Sequence, residues 1–203
     1  MKVNDSNNRD NLLRQIRDEV VALSESPLYS YRTENKYFPV IGEGSHQAKI
    51  MFIGEAPGRN EAKTGRTFCG SAGKILDTLL GEVGLKREEV YVTNIVKDRP
   101  QNNRDPLPEE IKIYGPFLER QIAIIQPQVI ATLGRYSIVY IMEKLGLADK
   151  LKPISELHGQ EFVAETEYGK VYIVPLYHPA AAIYNQGLIE TLKQDFKILE
   201  KFK

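Results

Sequence analysis

The chain has 203 residues, 42% hydrophobic and 27% charged, with 27 lysines and arginines balanced by 27 aspartates and glutamates. Those are ordinary globular proportions with room for one core; zero formal net charge excludes a global pull toward nucleic acid or an anionic membrane but permits a local basic patch. A single cysteine, Cys69, excludes a disulfide framework and any zinc or iron–sulfur site built from paired cysteines within one chain.

The opening MKVNDSNNRD is polar, of mixed charge and unlike a signal peptide. No apolar run approaches the ~20 residues of a membrane helix, so a cytoplasmic location is expected. Residues 9–24 carry Leu12, Leu13, Ile16, Val20, Val21 and Leu23 at helical spacing, and the aromatic, Pro- and Gly-containing stretch that follows reads as an extended arm. AKIMFIG (48–54) predicts a buried strand ending in a glycine-rich turn, and SAGKILDTLLGEVGL the helix after it. EVYVTNIV (89–96) is a second strand, enriched in β-branched residues. KDRPQNNRDPLP follows as a loop, since its prolines and asparagines oppose helix and strand alike.

PEEIKIYGPFLERQIAIIQ is helical with an expected break or kink at Gly115-Pro116. PQVIATLG (127–134) is the third strand and RYSIVYIMEKLG the next helix; QEFVAE and GKVYIVPLY are strands around a turn at Gly169. HPAAAIYNQG is the last loop before a C-terminal helix. Strands alternating with helices imply a parallel sheet covered on both faces. With no repeat or linker, one domain is expected over 1–203, an N-terminal helix and arm at 1–47 and a catalytic core at 48–203.

In such a sheet the ligand sits beyond the carboxyl ends of the strands. The segments there are GEAPGRNEAKTGRTFCG, TNIVKDRPQNNR, LG and YHPAAAIYNQG. Their glycine spacing is not that of a dinucleotide fingerprint, and no lysine follows as in a phosphate-binding loop. They offer an aromatic ring, asparagines, a histidine, carboxylates and cations. A flat uncharged base would use these: a ring to stack on, a carboxamide with donor and acceptor side by side, and an imidazole to meet charge on the departing base. Arg59, Lys63, Arg66, Lys97, Arg99 and Arg104 are available for DNA phosphates while the base is rotated out.

In order and spacing the segments resemble the motifs of family-4 uracil-DNA glycosylases: GEAPGRNE (54–61) with GRTFCGSAG (65–73), TNIVKDRPQNNRDPLPEE (93–110) and YHPAAAIYN (177–185). The resemblance runs from about Arg32-Thr33 through the last helix. It implies an α/β fold, a three-layer α/β/α sandwich around a central, mostly parallel four-stranded sheet. It further implies a monofunctional, monomeric hydrolase that releases uracil from single- or double-stranded DNA and leaves an abasic site. Phe68 would stack on the base and Asn94 pair with its O4 and N3–H, while Gly54 and Ala56 line the pocket. His178 would donate to O2, Glu55 lie beside the pocket, and Glu61 sit near C5; Asn103 is a weaker candidate for placing water or substrate. Ile183, Tyr184 and Asn185 are candidate wedges into the gap left by the flipped nucleotide, alongside Arg59, Arg66, Lys97, Arg99 and Arg104 on phosphates. His158 is read as a DNA contact or a solvated loop residue, and Cys69 as buried packing.

The family's four cluster cysteines fall by register at Leu23, Ser26, Asp98 and Tyr114, so no 4Fe–4S cluster, metal or other cofactor is expected. Two other readings stay open: a glycosylase for another deaminated base such as hypoxanthine or xanthine, and a non-catalytic uracil- or DNA-binding homologue.

Overall fold

Four apolar runs, each bounded by turn residues, become parallel strands around which the rest of the chain packs. A computed structural model describes residues 6–203; residues 1–5, part of the polar opening read above as unlike a signal peptide, lie outside the described residues. In chain order come α1 (Ser6–Val21), α2 (Tyr29–Glu34), β1 (Glu43–Gly44), β2 (Ile50–Gly54), α3 (Arg59–Thr64) and α4 (Ser71–Glu82). They are followed by β3 (Tyr91–Asn94), α5 (Pro108–Ile125), β4 (Val129–Leu133), α6 (Arg135–Lys144) and α7 (Ile154–Leu157). β5 (Phe162–Thr166), β6 (Gly169–Leu176), α8 (Ala181–Tyr184) and α9 (Leu188–Phe196) complete the order. Among the described residues no helix is long and apolar enough to cross a membrane.

The sheet order is β1-β3-β2-β4-β6-β5. β3, β2, β4 and β6 run parallel, while β1 and β5 close the two edges antiparallel. The sheet thus has six strands rather than the expected four, its parallel centre being the expected set. β1 is two residues long, too short to carry a period, and β5 is the first arm of the hairpin around Gly169. Alternate residues divide the core: Met51, Ile53, Ile130 and Ile173 face one cluster with α1, α5 and α6 residues, and Phe52, Ala131, Leu133 and Val174 face another with α4 and α9 residues. That is the three-layer arrangement.

Two further expectations change. The arm is not wholly extended, since Tyr29–Glu34 forms α2. And α5 runs unbroken through Gly115-Pro116. Proline inside a helix costs about 3 kcal/mol, which the burial of Tyr114, Leu118, Ile122 and Ile125 along one face offsets. Gly115 is there for close packing: a Cβ at that position would lie 2.2 Å from Tyr140 Oη.

The arm is tied to the core by a buried polar network. Arg32, in α2, donates to the carbonyls of Val20 and Val21 at 3.0 and 2.6 Å and to Asp98 Oδ2 at 3.0 Å. Tyr114 donates its hydroxyl to the same Oδ2 at 2.6 Å, which leaves Ser26 as the donor in the 2.7 Å contact between their hydroxyls. Leu28 N–H in turn donates to Ser26 Oγ. One network thus joins the end of α1, the arm, the loop after β3 and α5.

Removing one partner of such a buried pair leaves the other charge unpaired, at a cost of about 3–5 kcal/mol. Arg32→Met is therefore expected to lower unfolding free energy by that amount in urea titrations. Arg17→Met, which breaks only an exposed pair with Asp18, is expected to shift it by less than about 1 kcal/mol. Equal losses would contradict the anchoring role of the network.

Candidate active site

The parallel strands bring their carboxyl ends to one edge of the sheet. β2 lies between β3 and β4, so the chain reverses its direction of travel across the sheet beside β2, where ligands of open α/β sheets are held. In register, Gly54 at the end of β2 pairs with Asn94 at the end of β3. A Cβ on Gly54 would lie 2.3 Å from Asn94 Oδ1 and 2.9 Å from Phe68 Cζ. The missing side chain is what lets the carboxamide and the ring occupy neighbouring space.

Phe68 sits in the turn before α4 with φ at +46°, a region side-chain-bearing residues seldom enter. It is held there because Gly73, in the first turn of α4, packs on it: a Cβ at Gly73 would lie 1.6 Å from the Phe68 carbonyl oxygen. From the end of β6, His178 brings its ring to 5.5 Å from that of Phe68, at an interplanar angle of 28°. Ring, carboxamide and imidazole therefore meet at one place, as the sequence implied.

Asn94 Oδ1 is buried and has no hydrogen-bond partner among the described residues. Such an acceptor costs roughly 1–3 kcal/mol unless a donor arrives. His178 is half-buried, and desolvation lowers its pKa to about 4 despite an upward pull from Glu61. Its Nδ1 accepts the Ala180 N–H at 3.1 Å, which assigns the proton of the neutral ring to Nε2. The imidazole is thus a neutral donor.

The two glutamates of the first motif are engaged differently. Glu55 Oε1 accepts the Tyr136 N–H at 3.0 Å, placing a carboxylate at the N-terminus of α6. Burial raises its pKa, with the Tyr136 amide opposing. A Cβ on Gly134 would meet both Glu55 Oε1, at 2.5 Å, and His178 Cβ, at 3.3 Å, so Glu55 and His178 are neighbours across that glycine. Glu61, expected near uracil C5, accepts the Cys69 and Gly70 amides on Oε1 at 3.0 and 2.9 Å, bracing the turn that carries Phe68. Ala56, half-buried, packs at the margin of the core. Cys69 is only half-buried, not core packing, and lies 3.4 Å from Thr64 Oγ1.

Several expected phosphate ligands are used internally. Lys97 is 0% exposed, with Nζ on Thr93 Oγ1, the Asn94 carbonyl and Gln121 Oε1 at 2.8, 2.6 and 2.6 Å. It cannot reach a phosphate, and burial lowers its pKa. Arg99, 9% exposed, donates to Tyr31 and Tyr37 hydroxyls and to Asn103 Oδ1. The expected place of Asn103 next to water or substrate is not supported by any contact with Phe68, Asn94 or His178. Arg104 grips the buried Glu110 with two nitrogens. These corrections share one cause: sequence does not show which cation finds an internal acceptor.

Arg59 and Lys63 are exposed and carry no side-chain hydrogen bond to any described residue, and Arg66 is exposed while paired with Glu43. The expected last loop contains the short helix α8, in which Tyr184 is 90% and Ile183 45% exposed; just after it Asn185 Oδ1 accepts the Gly187 N–H. His158 pairs with Asp195 at 2.8 Å and lies against Tyr177, a structural contact rather than a solvated one. Gln121 and Arg32 were missed because neither lies in a strand-end loop.

The positions aligned with cluster cysteines do converge: Ser26, Asp98 and Tyr114 share the network anchored by Arg32, and Leu23 packs at the edge of the adjoining core. Their chemistry does not suit an iron–sulfur cluster, which is held by thiolates. The oxygens satisfy one another, and a guanidinium occupies their midst.

Comparisons with known proteins agree with this geometry. The family model described as the uracil DNA glycosylase superfamily matches residues 41–203. The type-4 uracil-DNA glycosylase of Sulfurisphaera tokodaii is 45% identical over 186 residues, covering 91% of this chain and 82% of that protein. Its counterpart from Archaeoglobus fulgidus is 43% identical over 82% of each chain, and that of Thermotoga maritima 38% identical over 88% and 87%. The chain belongs to the uracil DNA glycosylase superfamily and, within it, groups with the type-4 enzymes.

Proposed function

We propose that this protein is a DNA-repair hydrolase that cleaves the N-glycosidic bond of uracil in DNA, a reading supported by its likeness to type-4 uracil-DNA glycosylases. The observation that carries the reading is the buried, unpartnered Oδ1 of Asn94, facing a ring and a neutral imidazole. Uracil N3–H satisfies that acceptor, and its O4 takes the amide N–H of the same side chain; cytosine, with no N3–H and an amine at C4, matches neither. Phe68 stacks on the extruded base. His178 Nε2–H donates to O2, where negative charge grows as the C1′–N1 electron pair leaves with the base. Glu55, next to His178 across Gly134, is the carboxylate placed to take the proton of the attacking water. Arg59, Lys63 and Arg66 meet phosphates, and the exposed Ile183 and Tyr184 fill the vacated stack. The arm is held without an iron–sulfur cluster.

Single-turnover release from a uracil oligonucleotide, read as strand breakage after alkali, tests this. Asn94→Ala and His178→Ala are each expected to slow it by about 10²–10³-fold. Equal rates on hypoxanthine or xanthine would replace uracil as the substrate, and no release from any of them would leave only a binding role. Protein purified in air is expected to be colourless with substoichiometric iron; a brown preparation with four irons per chain would refute the cluster-free arm.

The lowered pKa of His178 gives a pH prediction. The unfolded histidine takes its proton near 6.5 and the folded one only near 4. Stability from neutral His178 is therefore full above about pH 6.5 and is lost as pH falls toward 4. The thermal midpoint of His178→Asn should fall less across that window than that of the parent, and the parent's rate should show no break near pH 6.5 from this group.

A further inference from the structure

Lys97 is a fully buried cation that the proposed chemistry does not use. Burial alone lowers its pKa and favours the neutral amine, but its three contacts call for the ammonium. Thr93 gives its hydroxyl proton to the Ile41 carbonyl at 2.6 Å, so Oγ1 accepts from Lys97. Gln121 gives its amide hydrogens to the Ile41 carbonyl and to Tyr91 Oη, so Oε1 also accepts. The third partner is the Asn94 carbonyl, an acceptor by nature. Three acceptors at 2.6 to 2.8 Å require three N–H groups, which only the ammonium has. A neutral amine would point its lone pair at one of them.

Among the described residues the charge has no counterpart. Buried Asp98 neutralises Arg32, and buried Glu110 neutralises Arg104, but no carboxylate is among the partners of Lys97. The ammonium rests on the main-chain carbonyl of the residue whose carboxamide faces the pocket. In a low-dielectric interior a unit charge acts over several ångströms with little screening.

We propose that Lys97 is a positioning residue for bond cleavage, a buried ammonium that fixes the end of β3 so that Asn94 faces the base and supplies uncompensated positive charge behind the departing uracil anion. The inference rests on the glycosylase reading above. No proton moves at Lys97; the C1′–N1 bond breaks with its electron pair leaving on the base, and the fixed charge favours that separation.

The test compares release of uracil with that of 5-fluorouracil, whose electron-withdrawing substituent makes the ring a better leaving group and less dependent on outside stabilisation. Lys97→Met removes the charge. Gln121→Glu keeps an oxygen on Lys97 and adds the missing carboxylate, so it serves if the first variant fails to fold. Each is expected to slow single-turnover uracil release by about tenfold or more, to change the Kd for uncleaved DNA less than threefold, and to slow 5-fluorouracil release less. Equal slowing of both bases in a folded variant, or no slowing, overturns the proposal. An unmutated protein inactive on both bases would instead refute the glycosylase reading.

Discussion

Because Gly54 has no side chain, Asn94 Oδ1 and the Phe68 ring reach the same space at the end of the central strand. A Cβ there would sit inside hydrogen-bond distance of one and inside van der Waals contact of the other. The rest of the site is arranged around that vacancy. Parallel pairing sets Asn94 opposite Gly54, and any slip by one residue would turn the carboxamide to the other face of the sheet. Gly73 does for Phe68 what Gly54 does for Asn94, accepting the strained turn that aims the ring. Glu61 then holds the turn from the other side through two amides.

Positive charge is handled in two ways around this centre. Arg32 and Arg104 are neutralised in place and act as structural ties; a pair buried on both sides, as Arg32 with Asp98 is, contributes little net stability yet is costly to break. Lys97 and His178 are left without a carboxylate contact. One keeps its charge through three acceptors, and the other loses it to desolvation. A neutral donor at O2 suits a leaving anion: it strengthens its hydrogen bond as charge develops, without first attracting a competing anion into the pocket.

The parallel core was legible because its strands are apolar runs between glycines, prolines and asparagines, and because the chemical residues sit at the strand ends where this topology must place them. Phe68, Asn94 and His178, named through the family resemblance, therefore lie at the strand-end edge where position alone would look for a site. What failed was the fate of charges. Lys97, Arg99 and Arg104 lie in one loop and look alike in sequence, yet one is buried on Gln121, one is buried on tyrosines of the arm and one stays exposed while gripping Glu110, all partners set by tertiary packing. Edge strand β1 and helix α2 were hidden by their length, too short for a period to emerge.

Ser26, Asp98 and Tyr114, at positions where the family resemblance implies cluster cysteines, hold the arm together with Arg32 by hydrogen bonds. A cluster would join its ligands through strong bonds of low directional variety and would be open to oxidation. Hydrogen bonds to a shared carboxylate are individually weaker but insensitive to oxygen, and they couple cooperatively because Asp98 Oδ2 receives both Tyr114 and Arg32. Asp98 is adjacent to Lys97 and Arg99 in sequence, and Arg99 in turn meets Tyr31 and Tyr37 of the arm. The loop after β3 therefore transmits the order of the arm to Asn94 through three consecutive side chains, each fixed by a different part of the chain. Loosening the arm would first be felt at the carboxyl end of β3, at the Asn94 carboxamide.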